Sequence, residues 1–378
     1  MVISVPGVAE WLFILTCQWC VSLLTGKCGS FLRSSLKMRL DLVLEPESPQ
    51  RFAELGLLAE SLGFGAVWTA NHIAARDPFM SFMALAQQSK AIRMGPIAIS
   101  PYELHPVKIA NSLLTLNEQA RGRAVIVIGG GGGSVIGMGL KSGRREVMPR
   151  MVRAVRECVE LLHGAATEKP FNYNGELFQV QGYNAGWVGD MTPKIYVGAS
   201  KPQMLRMAGR VADGVMMSDV TLPRIADAMT VLNQSLSEHG RDTANYPVSN
   251  LYAWHVKEDK QAALHEARAK LFVRGMLENW YISPFLEPQE CDLVEANFAA
   301  FASAYINNSD AITGVPDALV NKLVDNLTFT GGLDDIDRFI EELLQFKAAG
   351  LTEFAIRLYD QPESSIRLLA DRVIPALN

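Results

Sequence analysis

Six short polar stretches of this chain hold side chains or backbone that could do chemistry: Glu45, Asn71-His72, Ser100-Pro101-Tyr102, Gly129 to Gly133, Gly198-Ala199-Ser200 and Ser218-Asp219. Two of them are rich in glycine and lead toward a helix. Glycine lets backbone amides come close to a phosphate, and a helix N-terminus adds partial positive charge, so Gly198-Ala199-Ser200-Lys201-Pro202 reads as a phosphate cradle. Pro202 suits the first turn of the helix that follows. The run from Gly129 reads as a second such loop or as a merely flexible one. His72 is the histidine set directly at a strand end, where imidazole serves as a hydrogen-bonder or a proton carrier. His105, just before Pro106, belongs to a helix-starting turn. No His, Cys or carboxylate cluster has metal-ligand spacing, so no metal is expected, and neither a G-x-S-x-G elbow nor a Walker loop is present.

The stretches are positioned by a regular alternation. Aliphatic or β-branched runs at 39–44, 66–69, 93–99, 124–128, 194–197, 214–217, 247–255 and 353–358 read as strands. Amphipathic stretches at 49–62, 79–88, 107–119, 145–162, 202–211, 222–238, 261–277 and 363–374 read as helices. In the first helix Phe52, Leu55, Leu58, Ala59 and Leu62 recur at spacings of three and four. Eight strands alternating with helices predict an α/β fold, a (β/α)8 TIM barrel, whose chemistry sits at the strands' C-terminal ends. A doubly wound sheet would carry G-x-G-x-x-G after the first strand, and Glu45-Pro-Glu-Ser-Pro has no glycine. Two insertions interrupt the rhythm. Residues 171–180 carry a hairpin signal around Asn174-Gly175, and 283–333 hold several short helix-like pieces, with Trp280, Tyr281 and Phe285 beside or in them, that read as a substrate lid or a dimer contact.

The chain has 378 residues, 49% hydrophobic and 20% charged, which suits a globular domain and excludes a disordered or disulfide-built one. Lys plus Arg number 35 against 40 Asp plus Glu, a net charge of −5, so no basic field exists for nucleic acid or an anionic membrane. A small molecule or another protein is the expected partner. Three of the five cysteines precede Met38, along with an apolar stretch from Trp11 to Leu24 that is too interrupted for a membrane span. Cys17-x-x-Cys20 lacks the strand and helix context of a redox pair. Residues 1–37 therefore read as an N-terminal extension outside the fold, and 38–378 as a single barrel domain. Two scattered thiols in the body point to a reducing cytoplasm.

At the same loops the sequence resembles the luciferase-like flavin- and deazaflavin-dependent oxidoreductases. The carrying segments are Ala59-Glu-Ser-Leu-Gly-Phe-Gly-Ala-Val-Trp-Thr-Ala-Asn-His72, Gly95-Pro-Ile-Ala-Ile-Ser-Pro-Tyr-Glu-Leu-His-Pro106, Thr115-Leu-Asn-Glu-Gln-Ala-Arg-Gly-Arg123 and the stretch from Ile195-Tyr-Val-Gly-Ala-Ser-Lys-Pro to Ala212-Asp-Gly214. Length and the ending Ala349-Gly-Leu-Thr-Glu-Phe with Pro362-Glu-Ser-Ser-Ile-Arg-Leu-Leu make it most similar to the methylenetetrahydromethanopterin reductases of that superfamily. The resemblance implies a homodimer or larger homo-oligomer that binds the 8-hydroxy-5-deazaflavin coenzyme F420, or FMN. It implies hydride transfer to a C=N or activated C=C bond. A luciferase-type monooxygenase using reduced FMN and oxygen is the alternative, and a barrel without catalysis the third reading.

Residue by residue, the resemblance places the cofactor phosphate on Gly198, Ala199 and Ser200, and passes Gly129, Gly130 and Gly131 beside the ring and phosphate chain. Ser100 and Tyr102 would line the ring pocket, and Asn71 and His72 would reach its polar edge. A bulge in the third strand with a non-proline cis peptide would fall at Ile97-Ala98. Lys201, Arg206, Lys141, Arg144 and Arg145 would be available at the mouth for an anionic cofactor tail. Three departures matter. The deazaflavin dehydrogenases carry Asp-His where this chain has Asn71-His72, and an acid in the loop after the fourth strand, where Gly129 to Ser134 has none. A sugar-phosphate or alcohol dehydrogenase, which needs a base to take a hydroxyl proton, is thereby disfavoured. The pterin reductases place a carboxylate at the end of the first strand, where this chain has Val43, with Glu45 two residues on as the candidate substitute.

Overall fold

The structure, a computed structural model, describes residues 37–378. The proposed extension, its apolar stretch and Cys17-x-x-Cys20 lie outside the described residues. The strands are β1 (Arg39–Val43), β2 (Ala66–Ala70), β3 (Arg93–Ile97), β4 (Val125–Ile128), β5 (Phe171–Asn174), β6 (Gln179–Tyr183), β7 (Lys194–Gly198), β8 (Gly214–Ser218), β9 (Val248–Val256), β10 (Thr328–Gly331) and β11 (Glu353–Arg357). Eight of them pair in parallel in the order β3-β2-β1-β11-β9-β8-β7-β4, and bridges from Met94 to Ala124 and from Ile99 to Ile128 join the two ends. The result is the expected (β/α)8 barrel. Helices such as Pro49–Ser61 and Pro106–Gln119 bury one apolar face against its outside.

The closing seam has a local cause. A side chain on Gly95 would fall 1.5 Å from the Val125 carbonyl oxygen, so only glycine lets β3 press so close to β4. Pro96 then removes a ladder donor. Between the two bridges β3 spends five steps against four on β4, so one extra residue bulges out at Ala98. The expected bulge is present, but its expected cis peptide is not. Among the described residues the one cis bond is Lys169-Pro170. The extra residue alone displaces the backbone here, without the roughly 3 kcal/mol that a cis non-proline bond would cost.

Other expectations shift. The antiparallel hairpin β5–β6 forms where it was read. The helix expected from 145 begins at Met151, because Pro149 and a left-handed Arg150 (φ 54°) end the preceding loop. The helix expected over 261–277 stops at Ala269, and Gly275 (φ 50°), Met276 and Leu277 turn the chain with positive φ. From there a second small core is built on Leu277 and Ile282, just before the span read as an insertion, and on Val294, Phe301, Val320 and Leu323 within it. That span also contains β10, which extends the sheet beside the outer half of β9.

Candidate active site

Alternation along a strand decides which side chains enter the barrel. On β1 the inward positions are Arg39, Asp41 and Val43, and the same parity carries on to Glu45 beyond the strand end. On β11 they are Glu353, Ala355 and Arg357. The middle of the barrel is filled by Val43, Trp68, Val127, Tyr196, Met216, Leu251 and Ala355. Above this layer the C-terminal ends converge.

Glu45, His72 and Arg357 meet there. The buried Arg357 guanidinium forms an ion pair with Glu45, and its Nη2 lies 3.0 Å from His72 Nε2. Glu45 Oε1 is 3.5 Å from the same ring nitrogen. Burial works to raise the Glu45 carboxyl, but the Arg357 charge paired with it works the other way, and the carboxyl stays below the usual carboxylate range. The structure thus brings together two of the three expected catalytic residues and adds an arginine that the sequence reading missed. Arg357 is legible only through strand parity, as the polar end of an otherwise apolar run.

Asn71, the third, points elsewhere. Its side-chain Nδ2 donates to Glu103 Oε2 at 2.5 Å, and its main-chain carbonyl accepts from the Ser134 hydroxyl at 3.1 Å. Glu103, half-buried, is raised by that burial, with the Asn71 and Ser134 hydrogen bonds working the other way. A carboxylate thus stands beside Asn71 from the loop after the third strand, one residue past Tyr102.

The expected cofactor residues form a floor and a rim. Ala98, the bulge residue, is exposed among buried neighbours, and it faces Gly129 and Gly198: side chains on these glycines would come within 3.0 and 3.9 Å of its Cβ. Ile97 lies inside the barrel cluster beneath. Gly131 takes φ 83°, which a glycine adopts without strain, and Gly130 lies against Met151. Ser100 is fully buried and caps its own turn, accepting the Tyr102 amide at 3.2 Å, so it supports the pocket wall from behind. The Tyr102 hydroxyl donates to the Pro149 carbonyl. The Ala199 amide bonds to the Met216 carbonyl at 3.1 Å, and Ser200 Oγ accepts the Ser218 amide at 3.3 Å. Helix Pro202–Val211 follows with no side-chain cap on its first turn.

A second layer braces this site. Asp219 (φ 55°) accepts from Arg274 Nη1 at 2.8 Å and from the Gly275 amide at 2.9 Å, which draws the insertion over the barrel end. Arg274 Nη2 donates to the Tyr359 hydroxyl at 3.2 Å, and the His255 ring stacks on Tyr359 at 5.1 Å. Burial lowers His255, so a neutral imidazole Nδ1–H donates to Glu266 at 2.6 Å. Against the burial that opposes it, this bond and Lys257 hold Glu266 at about 2. The cations expected to serve an anionic tail are largely spent on the insertion. Lys201 pairs with Glu278, Arg144 and Arg145 with Glu295, and Arg144 also lies 3.9 Å from the Phe298 ring centre.

The exposed alanine flanked by two glycines, set above a packed barrel layer, is a cradle that larger side chains would fill, and it suits a flat ring system. The charged rim beside it suits polar ring edges. The chain as a whole is similar to known proteins. A profile described as luciferase-like monooxygenase matches residues 29–353. A 5,10-methylenetetrahydromethanopterin reductase of Archaeoglobus fulgidus is 27% identical over 85% of this chain and 93% of its own. Among solved structures, the coenzyme F420-dependent tetrahydromethanopterin reductase of Methanopyrus kandleri superposes with a TM-score of 0.74 at 20% identity, over 90% of this chain and all of its own. An F420-dependent secondary alcohol dehydrogenase does so at 0.71 and 19%, over 91% of this chain and all of its own.

Proposed function

The chain belongs to the luciferase-like monooxygenase family, and we propose that within it this enzyme is a deazaflavin-dependent reductase that delivers hydride to a C=N or activated C=C bond. The observation that carries the reading is the cradle of Ala98, Gly129 and Gly198 at the same barrel end as the Glu45–His72–Arg357 cluster, with the Asn71 amide, one residue before His72, bonding to the Ile97 carbonyl, one residue before Ala98, at 2.8 Å. The reductase name borne by a relative over most of both chains supports it. When bound, the reduced cofactor supplies the hydride; the protein positions the acceptor and keeps water out.

The residues have separable tasks. Gly198, Ala199 and Ser200, with the uncapped helix start behind them, hold the phosphate, and Gly129 to Gly131 run along the chain that joins phosphate to ring. Ile97 and Ala98 back the ring, and Tyr102 walls the pocket. His72 faces its polar edge, with Asn71 held beside it by Glu103 and Glu45 fixing the electrostatics through Arg357. An acceptor carbon that already carries positive charge asks for little acid or base, which fits a site whose carboxylates are engaged with partners. The insertion, held by Arg274, Arg144, Arg145 and Lys201, covers the substrate. In this reading the enzyme is a cytoplasmic homo-oligomer, and sedimentation of the purified chain tests the assembly.

The family's description favours a second reading, a monooxygenase using reduced FMN and oxygen. Fluorescence titration of the chain with F420 and, separately, with FMN decides between them. Tight binding of F420 and weak binding of FMN is expected. Preference for FMN moves the assignment to the monooxygenase, and binding of neither overturns both.

A further inference from the structure

Arg357 and His72 together settle a question of proton placement. Guanidinium has five N–H groups and no acceptor, and it stays protonated at any pH the fold survives. Its Nη2 lies 3.0 Å from His72 Nε2, a hydrogen-bonding distance at which the imidazole nitrogen must be the acceptor. The competing arrangement would have Nε2–H donate to Glu45 Oε1, which is farther away at 3.5 Å. It would also leave two N–H groups facing each other at 3.0 Å beside a buried cation. The neutral ring then carries its proton on Nδ1, which has no partner among the described residues, on a side chain 40% exposed.

We infer that Arg357 is a positioning residue that locks His72 as the Nδ1–H tautomer, so that His72 presents a hydrogen-bond donor to the bound cofactor or substrate and cannot serve as a base through Nε2. The charged and ionisable groups that share this space are Glu45 on the near side and Tyr305, Tyr359 and Asp219 around the guanidinium, and none of them takes the Nε2 lone pair. The inference rests on the proposed function only for what His72 points at; the tautomer belongs to the protein alone. It narrows the substrate class. A site whose histidine donates suits an acceptor with a carbonyl or ring nitrogen to be held, and does not suit an alcohol that must lose a proton.

The experiment is long-range 1H–15N correlation NMR of the ligand-free protein labelled at its six histidines, with the His72 signals assigned by their loss in H72Q. A pyridine-type Nε2 and a pyrrole-type Nδ1 are expected for wild type at neutral pH. Replacing Arg357 by methionine is expected to move the proton toward Nε2, where Glu45 becomes the only nearby acceptor. R357K, whose ammonium also only donates, is expected to restore the wild-type pattern. F420 affinity is expected to fall about tenfold in R357M, the worth of one hydrogen bond, and to recover in R357K. A pyrrole-type Nε2 or a doubly protonated ring in the wild type overturns the inference, whether or not the methionine variant folds. Failure to bind F420 with the Nδ1–H signature intact overturns the functional reading and leaves the tautomer standing.

Discussion

Both ends of the barrel carry charged residues from β1 or its continuation and from β11, yet the two clusters differ. At the N-terminal end Arg39 and Asp41 of β1, Arg93 of β3 and Glu353 of β11 form an ionic cluster, with Arg93 3.6 Å from Asp41 and 3.3 Å from Glu353. At the C-terminal end Glu45, His72 and Arg357 do the same. Between them lies one apolar layer. The lower carboxylates are 0% exposed, capped by Trp68 donating to Asp41 and Tyr196 donating to Glu353, both at 3.1 Å. At the upper end the carboxylate of Glu45 pairs with Arg357 instead, and Glu45 and His72 remain 39% and 40% exposed. Carboxylates sealed from water and bonded by aromatic donors make a plug, whereas a pair left partly open to solvent can meet a ligand. Burial raises Asp41 despite Arg93 and Trp68, while Glu45 is held low.

Breaking the plug tests this division most severely. Glu353→Leu leaves Arg39 and Arg93 to share Asp41, and stripping one partner from a buried network costs about 3–5 kcal/mol. Urea or thermal unfolding should show that loss. Cofactor affinity of the fraction that remains folded should be unchanged; a variant that keeps its stability but loses cofactor would show that the lower cluster belongs to the site.

One upper pair is as buried as anything below, and it should behave accordingly. Glu266 is 5% exposed and sits at about 2, against an ordinary 4.5. A depressed carboxylate contributes stability that is complete above its unfolded value and is lost as pH falls through its folded one. The contribution is about 3 kcal/mol, fading from roughly pH 4.5 down toward 2. E266Q should therefore be less stable at neutral pH and show a shallower acid limb. An unchanged acid limb would mean the His255–Glu266 bond does not survive in solution.

The cradle gives the next effect. Ala98 is exposed, so A98L should fold normally, but its side chain would occupy the space that Gly129 and Gly198 leave open. Cofactor binding should fall about a hundredfold or more, far beyond the loss of a single hydrogen bond. H72A, which removes only a donor, should cost about tenfold. Equal losses in the two would mean that His72 carries more of the site than the cradle does.

Much of this architecture was legible because strand and helix periods are local. All eight barrel strands follow from aliphatic runs, and the bulge at Ala98 from the family resemblance. What stayed hidden was set by contacts distant in sequence. Arg274 turns into the barrel because Asp219 accepts it, and the turn at Gly275 that allows this falls inside what reads as a continuing helix. Glu103 does not stand out in the sequence because the family's acid follows the fourth strand, whereas Glu103 follows the third and meets the Asn71 amide only in the folded chain. Arg357 reads as the last residue of a hydrophobic strand until parity with Glu353 and Ala355 turns it inward.

The smallest effect is the most telling about the comparison. Glu45 pairs with a buried arginine, so a ledger of contacts would rank its loss with that of Glu353. Yet it is 39% exposed, and water screens and replaces much of what Arg357 gives it. Its lowered carboxyl contributes stability above the ordinary carboxylate range that is lost as pH falls, and after screening this is worth less than about 1 kcal/mol. E45Q should therefore melt within a few degrees of the wild type, since one amide oxygen can still accept from Arg357. The affected quantity should be cofactor or substrate affinity, through the charge removed beside His72. A large loss of stability in E45Q would place the upper cluster with the plug and erase the distinction between the two ends.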